Sequence, residues 1–276
     1  LVVMPESPRW LAGHASDEDL TLALSKLRYD DEIETEKQKL YQEVQEEKKR
    51  GVASWREVFS TSNTMRRRVI LGMALQAFQQ LCGINAIMFY APDILNTFFT
   101  EDQAIAGAFY LNTINFLATF IAVAAIDKFG RVKLLLCGGI LMFFSLVINT
   151  VLSALDQTLT VGWCVLVFAS TFIIGFAFSW GPVVWVVCSE MFPLRMRTKA
   201  VGLTTMMNWF CTTIIGGVFP AASRASLSAC FAFFAAAIAC GMLTVYLLLA
   251  ETANKTVLEI DEAYKAHKPA LKRKVW

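Results

Sequence analysis

Gln79, Gln80 and Asn85 lie in a stretch, Val69 to Pro92, that carries no charged residue and is long enough to cross a membrane. A carboxamide buried in an apolar medium without a partner costs about 2–7 kcal/mol. Three of them close together therefore require a reason. Each amide offers a donor and an acceptor, so a set of them reads a neutral, hydroxyl-rich ligand without carrying charge into the bilayer. The competing reading is interhelical glue, worth about 0.6–2 kcal/mol per contact in membranes. Residues one, five and six apart do not share one narrow face of a straight helix, and a break at Gly83 would let them converge. Asn112, Asn115 and Asn208 are weaker candidates of the same kind, and Asn149 reads as structural. Trp185, three residues after Pro182, and Trp209, beside Asn208, could stack on the C–H face of a pyranose or simply pack. Trp163 reads as an interfacial belt residue.

The elements that position these residues follow from composition. The chain of 276 residues is 56% hydrophobic and 17% charged, against about 25% charged in soluble domains. Its charges are segregated into residues before 69, short linkers and the segment after 250. A soluble helix needs a polar face, and the intervening runs have almost none. Six runs approach the roughly 20 residues that span hydrocarbon: Val69–Tyr90, Ala104–Ile126, Leu134–Leu155, Val161–Val187, Ala200–Ala222 and Ser226–Leu249. Gly83, Pro92, Gly181-Pro182, Gly216-Gly217 and Pro220 are potential breakers within or beside them. The expected fold class is all-α integral membrane, with a cytosolic helical linker over 1–65, a six-helix bundle over 66–250 and a cytosolic tail over 251–276. Basic linkers (Arg66 to Arg68, Lys128 to Lys133, Arg195 to Lys199) alternate with poorly basic ones, which places both chain ends in the cytosol.

Within the linker, Ser16 and Asp19 form a capping-box-like start, followed by Leu20, Leu24 and Leu27 on one helical face. Ser54 to Glu57 is a second capping signal, with Trp55, Val58 and Phe59 as the apolar side of a short helix. Leu1 to Pro5 reads as the end of an earlier apolar segment. The net charge of +2 is too small to suggest nucleic acid. The seven cysteines all fall inside or, for Cys188, directly at the edge of expected spans with no Cys-x-x-Cys pair, so neither a disulfide nor a metal is expected. No Asp, Glu, His, Lys or Arg lies inside an expected span, and Glu190 marks a cytosolic edge. Proton relays use intramembrane ionisable groups, so a coupling group is not in this segment. Asn254-Lys255-Thr256 matches a glycosylation sequon on the cytosolic side and is expected to go unused.

Several motifs in order resemble the sugar porter family of the major facilitator superfamily. They are Pro5-Glu6-Ser7-Pro8-Arg9-Trp10-Leu11, Gln79-Gln80-Leu81-Cys82-Gly83-Ile84-Asn85 followed by Tyr90, Asp127-Lys128-Phe129-Gly130-Arg131, Gly181-Pro182-Val183-Val184-Trp185, Ser189-Glu190-Met191-Phe192-Pro193-Leu194-Arg195, and Glu251-Thr252. The resemblance implies twelve spans in two six-helix halves with a monosaccharide bound between them. It makes this chain the C-terminal half plus the cytosolic linker, with the N-terminal half as its missing partner. It implies sugar contacts at Gln79, Gln80, Asn85, Asn112, Trp185 and Asn208, with Trp209 beside them. It implies a cytosolic charge network of Glu6, Arg9, Asp127, Arg131, Glu190, Arg195 and Glu251 that latches the inward gate. Two departures, Val132 in place of a basic residue and Ala250-Glu251-Thr252-Ala253-Asn254 as the final signature, would weaken that latch.

The expectation is alternating-access transport of a hexose or related sugar or polyol, in the plasma membrane, with no enzymatic activity or cofactor. Uniport and proton symport both remain open. Two other readings stand beside it. One is a non-transporting sugar receptor of the same fold. The other is an incomplete half-transporter that is inactive alone.

Overall fold

The computed structural model describes residues 6–27, 32–51, 53–60 and 64–266. Leu1–Pro5, read as the end of an earlier segment, lies outside them, as do the residues after 266. The chain divides into two compact units, Leu1–Ser54 and Trp55–Trp276, a boundary earlier than the one expected at residue 65. The described residues form helices and no strand.

The first unit holds α1 (Pro8–His14), α2 (Asp17–Ser25) and α3 (Ile33–Arg50). Ser16 caps α2 as expected, accepting from the Asp19 backbone N–H at 3.2 Å. Leu11, Leu20, Ala23 and Leu24 form its small core, against Leu40 and Tyr41. Leu27 was expected on the same face but is half exposed, because α2 ends at Ser25 and the chain turns away. Asp17 accepts from Lys37 Nζ at 2.5 Å and Tyr41 Oη at 3.0 Å, which joins α2 to α3. The Lys37 and Tyr41 hydrogen bonds hold the Asp17 carboxyl below its usual range.

In the second unit the short α4 (Trp55–Val58) buries only Val58. Trp55 and Phe59, expected on its apolar side, are exposed and stack on each other, with the Lys199 ammonium over the Trp55 ring. Six helical spans long and apolar enough to cross a membrane follow. The first is interrupted, as α5 (Met65–Leu81), α6 (Ile84–Phe89) and the flanking turn α7 (Ala91–Leu95). Next come α8 (Glu101–Phe129) and α9 (Arg131–Leu152). The fourth span is α10 (Leu159–Gly175), a wide π turn at Phe176–Trp180, and α11 (Gly181–Glu190). The last two are α12 (Leu194–Ala225) and α13 (Leu227–Leu248). Large apolar side chains such as Phe109, Phe116, Val123 and Phe144 point outward, while Trp180, Phe172, Phe231 and Leu135 fill the interior.

The breakers act unequally. Gly83 takes φ +87°, a left-handed conformation, and splits α5 from α6. A Cβ there would lie 2.3 Å from the Phe234 ring, so both backbone and packing demand glycine. Gly181-Pro182 follows the π turn and begins a new helix. Gly216, Gly217 and Pro220, expected as a break, are spanned by one continuous helix. The reason is local. Proline at 220 removes the N–H that would bond the Gly216 carbonyl four residues back. The Tyr90 hydroxyl donates to that carbonyl at 2.7 Å instead. The freed acceptor is satisfied from another span, so the helix tolerates the proline and gains a tie to α6.

The last span is followed by α14 (Val257–Lys265), begun by a capping box between Thr256 and Glu259. Its Ile260 and Ala263 are buried. The anchor is Arg68, which the sequence suggested only as an orienting charge. It is 1% exposed. Its guanidinium donates to the Met191 carbonyl at 3.2 Å and to the Asp261 carboxylate, and lies 4.8 Å from the Tyr264 ring centre. Burial by itself would raise the Asp261 pKa, but hydrogen bonds from Lys265 and Arg68 outweigh it and hold the carboxyl below the usual range.

Two outcomes are expected. Gly83→Ala costs about 2–4 kcal/mol in unfolding measured in detergent micelles, from overpacking and left-handed strain. Gly217→Ala, whose added Cβ meets nothing within 4 Å, stays within about 0.5 kcal/mol of the parent. Equal effects would refute the hinge assignment. For Asp261, a folded-state pKa below the unfolded one means its stabilisation is complete above the ordinary carboxylate value of about 3.9 and is lost as pH falls through the lowered value. Asp261→Asn therefore loses about 3 kcal/mol at pH 7, leaving a buried cation unpaired. The gap to wild type narrows below about pH 4. A gap that does not change with pH would show that packing, and not charge, docks α14.

Candidate functional site

The break at Gly83 allows the amides to converge, and they converge on one another. Asn208, on α12, is the centre. Its Nδ2 donates to Gln76 Oε1 and Gln79 Oε1, each at 2.6 Å. Its Oδ1 accepts from Gln80 Nε2 at 3.1 Å. Gln79 Nε2 donates to the carbonyls of Trp180 at 2.7 Å and Gly181 at 2.8 Å, where the π turn meets α11. Gln80 Oε1 accepts from Asn85 Nδ2 at 2.6 Å, and Asn85 also reaches the Thr212 hydroxyl at 3.4 Å. Gln76, Gln79, Gln80 and Asn208 are all buried.

This inventory separates two kinds of amide. Gln79 has both N–H groups and its oxygen committed, and Asn208 likewise spends donor and acceptor inside the protein. Asn85 has its Oδ1 without a hydrogen bond among the described residues. It stands at the end of the chain of amides, only partly buried. The free acceptor is held in place because its own N–H group is engaged by Gln80.

A cleft of about 370 Å³ opens beside this chain. Gln79, Gln80, Asn85, Asn112 and Trp185 all line it, joined by Asn115 from α8. Asn112 donates back to the Ala108 carbonyl at 2.9 Å, which leaves its side-chain oxygen available. Trp185 is 39% exposed, with Phe176 of the π turn and Met88 and Phe89 of α6 as further lining. The arrangement offers hydrogen-bond acceptors, some donor capacity and an indole face, with no ionised group.

Not every expected residue joins it. Asn208 lies behind the cleft and orders the amides that face it. Trp209 is 63% exposed and off the cleft, because the next residue on a helix points about 100° away from its predecessor. Gln76 was missed by the sequence reading. Its signal was present, since it precedes Gln79 and Gln80 by three and four residues, the spacing of one helical face.

The charged residues gather elsewhere. Arg131 donates to Glu190 through Nη2 at 2.8 Å and Nε at 3.2 Å, a two-pronged pair. It also reaches Asp127 at 3.2 Å and the Ile126 carbonyl at 3.2 Å. Glu251 accepts from the backbone N–H groups of Arg131 and Val132, both at 3.0 Å, and so caps the start of α9. Gly130, at φ +82°, makes room for it: a Cβ there would lie 2.8 Å from the Glu251 carboxylate. Thr252 donates to Glu190 at 2.6 Å. Position 132 gives its backbone N–H to Glu251, while the Val132 side chain is buried in the core. Asp127, Arg131, Glu190 and Glu251 are thus one cluster. Arg195 is not in it and pairs with Glu57 of α4 at 2.8 Å. Glu6 belongs to the first unit, where it accepts from the Ser7 N–H at 3.1 Å, and the Arg9 side chain lies outside the described residues.

Comparison with known proteins gives these features a context. Residues 1–264 match the family described as sugar (and other) transporter. The chain is 35% identical to the glucose transporter GlcP of Staphylococcus epidermidis, over 94% of this chain and 57% of that one. It is 32% identical to sugar transport protein 10 of Arabidopsis thaliana, over 96% of this chain and 53% of that one. Among solved structures, the inward-open xylose transporter XylE from E. coli superposes with a TM-score of 0.70 at 26% identity, covering 95% of this chain and 52% of that one. The chain spans about half the length of the relatives it matches. It therefore belongs to the sugar (and other) transporter family, as an integral membrane protein whose six spanning helices correspond to half of a major facilitator fold.

Proposed function

We propose that this chain forms the C-terminal wall of a sugar site and carries a neutral monosaccharide, a hexose or related sugar or polyol, across the membrane by alternating access. The observation that carries this reading is the free acceptor of Asn85, preorganised by a spent chain of amides and facing an uncharged cleft beside Trp185. A hydroxyl both donates and accepts, so it pairs with such groups at little desolvation cost, whereas an ion would find no countercharge. The names of the relatives support the substrate class: a glucose transporter, a sugar transport protein and a xylose transporter. Asn208 and Gln79 act as positioning residues. Trp185 stacks on or gates the ring. The opposite wall comes from six further spans related to the other half of XylE. The basic linkers face the cytosol, as do both ends of the chain, in the plasma membrane. The cluster of Asp127, Arg131, Glu190 and Glu251 latches the cytosolic side in one state and so biases the exchange between states. Any proton coupling uses a group in the other half, because the centres of these six spans hold no Asp, Glu, His, Lys or Arg.

Radiolabelled glucose and xylose uptake in liposomes, by the whole transporter carrying both halves, tests the site. Asn85→Ala and Gln80→Ala each lower uptake efficiency about 3–10-fold for whichever sugar the parent carries, the loss of one hydrogen bond to substrate. Asn208→Ala also lowers it, and additionally lowers thermal stability, because Gln76, Gln79 and Gln80 lose their shared partner. Parent-level uptake in both Asn85→Ala and Gln80→Ala would sink the assignment. Saturable sugar binding with no flux in the parent would replace transport with reception.

A further inference from the structure

A second concavity, of about 500 Å³, lies between the start of α5, the end of α13 and α14. Its walls are apolar: Ile70, Ala74 and Phe78 from one side, Leu247 and Leu248 from another, with Ala263 and Tyr264 of α14 closing one edge. Thr244, also on the wall, spends its hydroxyl on the Cys240 carbonyl at 2.9 Å. At the end nearest the start of α5 the lining changes character, to Thr64 and Arg67. Arg67 is exposed and has no ion-pair or hydrogen-bond partner among the described residues, unlike its neighbour Arg68. The Thr64 hydroxyl oxygen is buried and likewise has no partner.

Depth decides what fits. Arg67 and Phe78 are eleven residues apart on one helix, about 16 Å at 1.5 Å per residue. That is about half of a 30 Å hydrocarbon core, the depth of one leaflet. The apolar wall therefore runs the length of an acyl chain, and the cation stands where a headgroup would be. An exposed cation without a partner at that depth calls for an anionic oxygen ligand.

We propose that this groove binds one anionic phospholipid, its phosphate on Arg67 and an acyl chain along Ile70, Ala74, Phe78, Leu247 and Leu248. A zwitterionic lipid fills the apolar wall equally well but brings its own cation to Arg67, so the charge at residue 67 sets the preference. Because α14 supplies part of the wall, the bound lipid ties the first and last spans to that helix.

Native mass spectrometry of the purified protein, titrated with dioleoyl phosphatidylglycerol or dioleoyl phosphatidylcholine, measures this without reference to transport. Wild type retains one phosphatidylglycerol about fivefold better than phosphatidylcholine, the ratio that one arginine near an anionic headgroup supplies. Arg67→Gln abolishes the preference while keeping acyl-chain binding. Ala74→Phe, which fills the groove, lowers retention of both lipids. Arg66→Gln, next to Arg67 in sequence but outside the groove, leaves the preference intact. Equal retention of the two lipids by wild type overturns the proposal. So does an equal loss in Arg66→Gln and Arg67→Gln, which would indicate diffuse attraction to a basic patch.

Discussion

A polar side chain left unpaired in an apolar bundle is costly, and that constraint organises the amide cluster of the second unit. Five carboxamides from α5, α6 and α12 meet it largely through one another, with Asn208 as the shared hub and Gln76 joined through its oxygen alone. Left unpaired, each would cost several kcal/mol in this setting. Paired, they fix the rotation of α12 against α5 and the position of the broken fourth span, because Gln79 holds the carbonyls of Trp180 and Gly181. The π turn and the amide chain are therefore parts of one arrangement. The glutamine on α5 donates to two carbonyls at the junction where the π turn gives way to α11. The two readings left open by the sequence, ligand site and interhelical glue, are divided among the residues: Asn208, Gln76 and Gln79 hold helices together, and Asn85 keeps an oxygen free.

The same rule governs the charges at the basic ends of the spans. Arg131 and Arg68 are both buried, and each is surrounded by acceptors from several elements. Arg131 gathers α8, α11 and the segment after α13. Arg68 gathers the end of α11 and α14. Arginine suits this task because its fixed fork donates in several directions and it does not lose its charge when buried. The partly exposed Arg195–Glu57 pair is different in kind, and pairs of that type contribute about 0–1 kcal/mol.

Much of this was legible in advance, for physical reasons. Six spans follow from length and apolarity alone, since lipid tolerates no other spanning structure here than a helix. The hinge at Gly83 was legible because glycine beside a cluster of polar residues marks a place where backbone freedom has a use. Contacts across the bundle were not legible. Nothing in the order of residues says that Asn208 is spent internally while Asn85 is open, or that Trp209 turns away from the face its neighbour occupies. Gln76 escaped notice although its spacing placed it on the face of Gln79 and Gln80. Arg68 read as an orienting charge because positive-inside reasoning counts arginines without asking which of three consecutive ones is buried.

Pro220 shows most clearly why a breaker in sequence need not be a break in structure. Proline removes one donor and leaves one carbonyl bare, and the outcome depends on what lies opposite that carbonyl. At Gly216 it is the Tyr90 hydroxyl, at the end of the segment that Gly83 has set free from α5. The short helix between Gly83 and Tyr90 is therefore tied at its far end to the Gly216 carbonyl of α12 and at its near end through Asn85 to Gln80 and Thr212. Asn85, the residue with the open acceptor, rides on this short helix. A ligand that engaged Asn85 would thus act on the short segment that Gly83 separates from α5. Binding and movement would be coupled through one short helix, with no need for the rest of the bundle to deform.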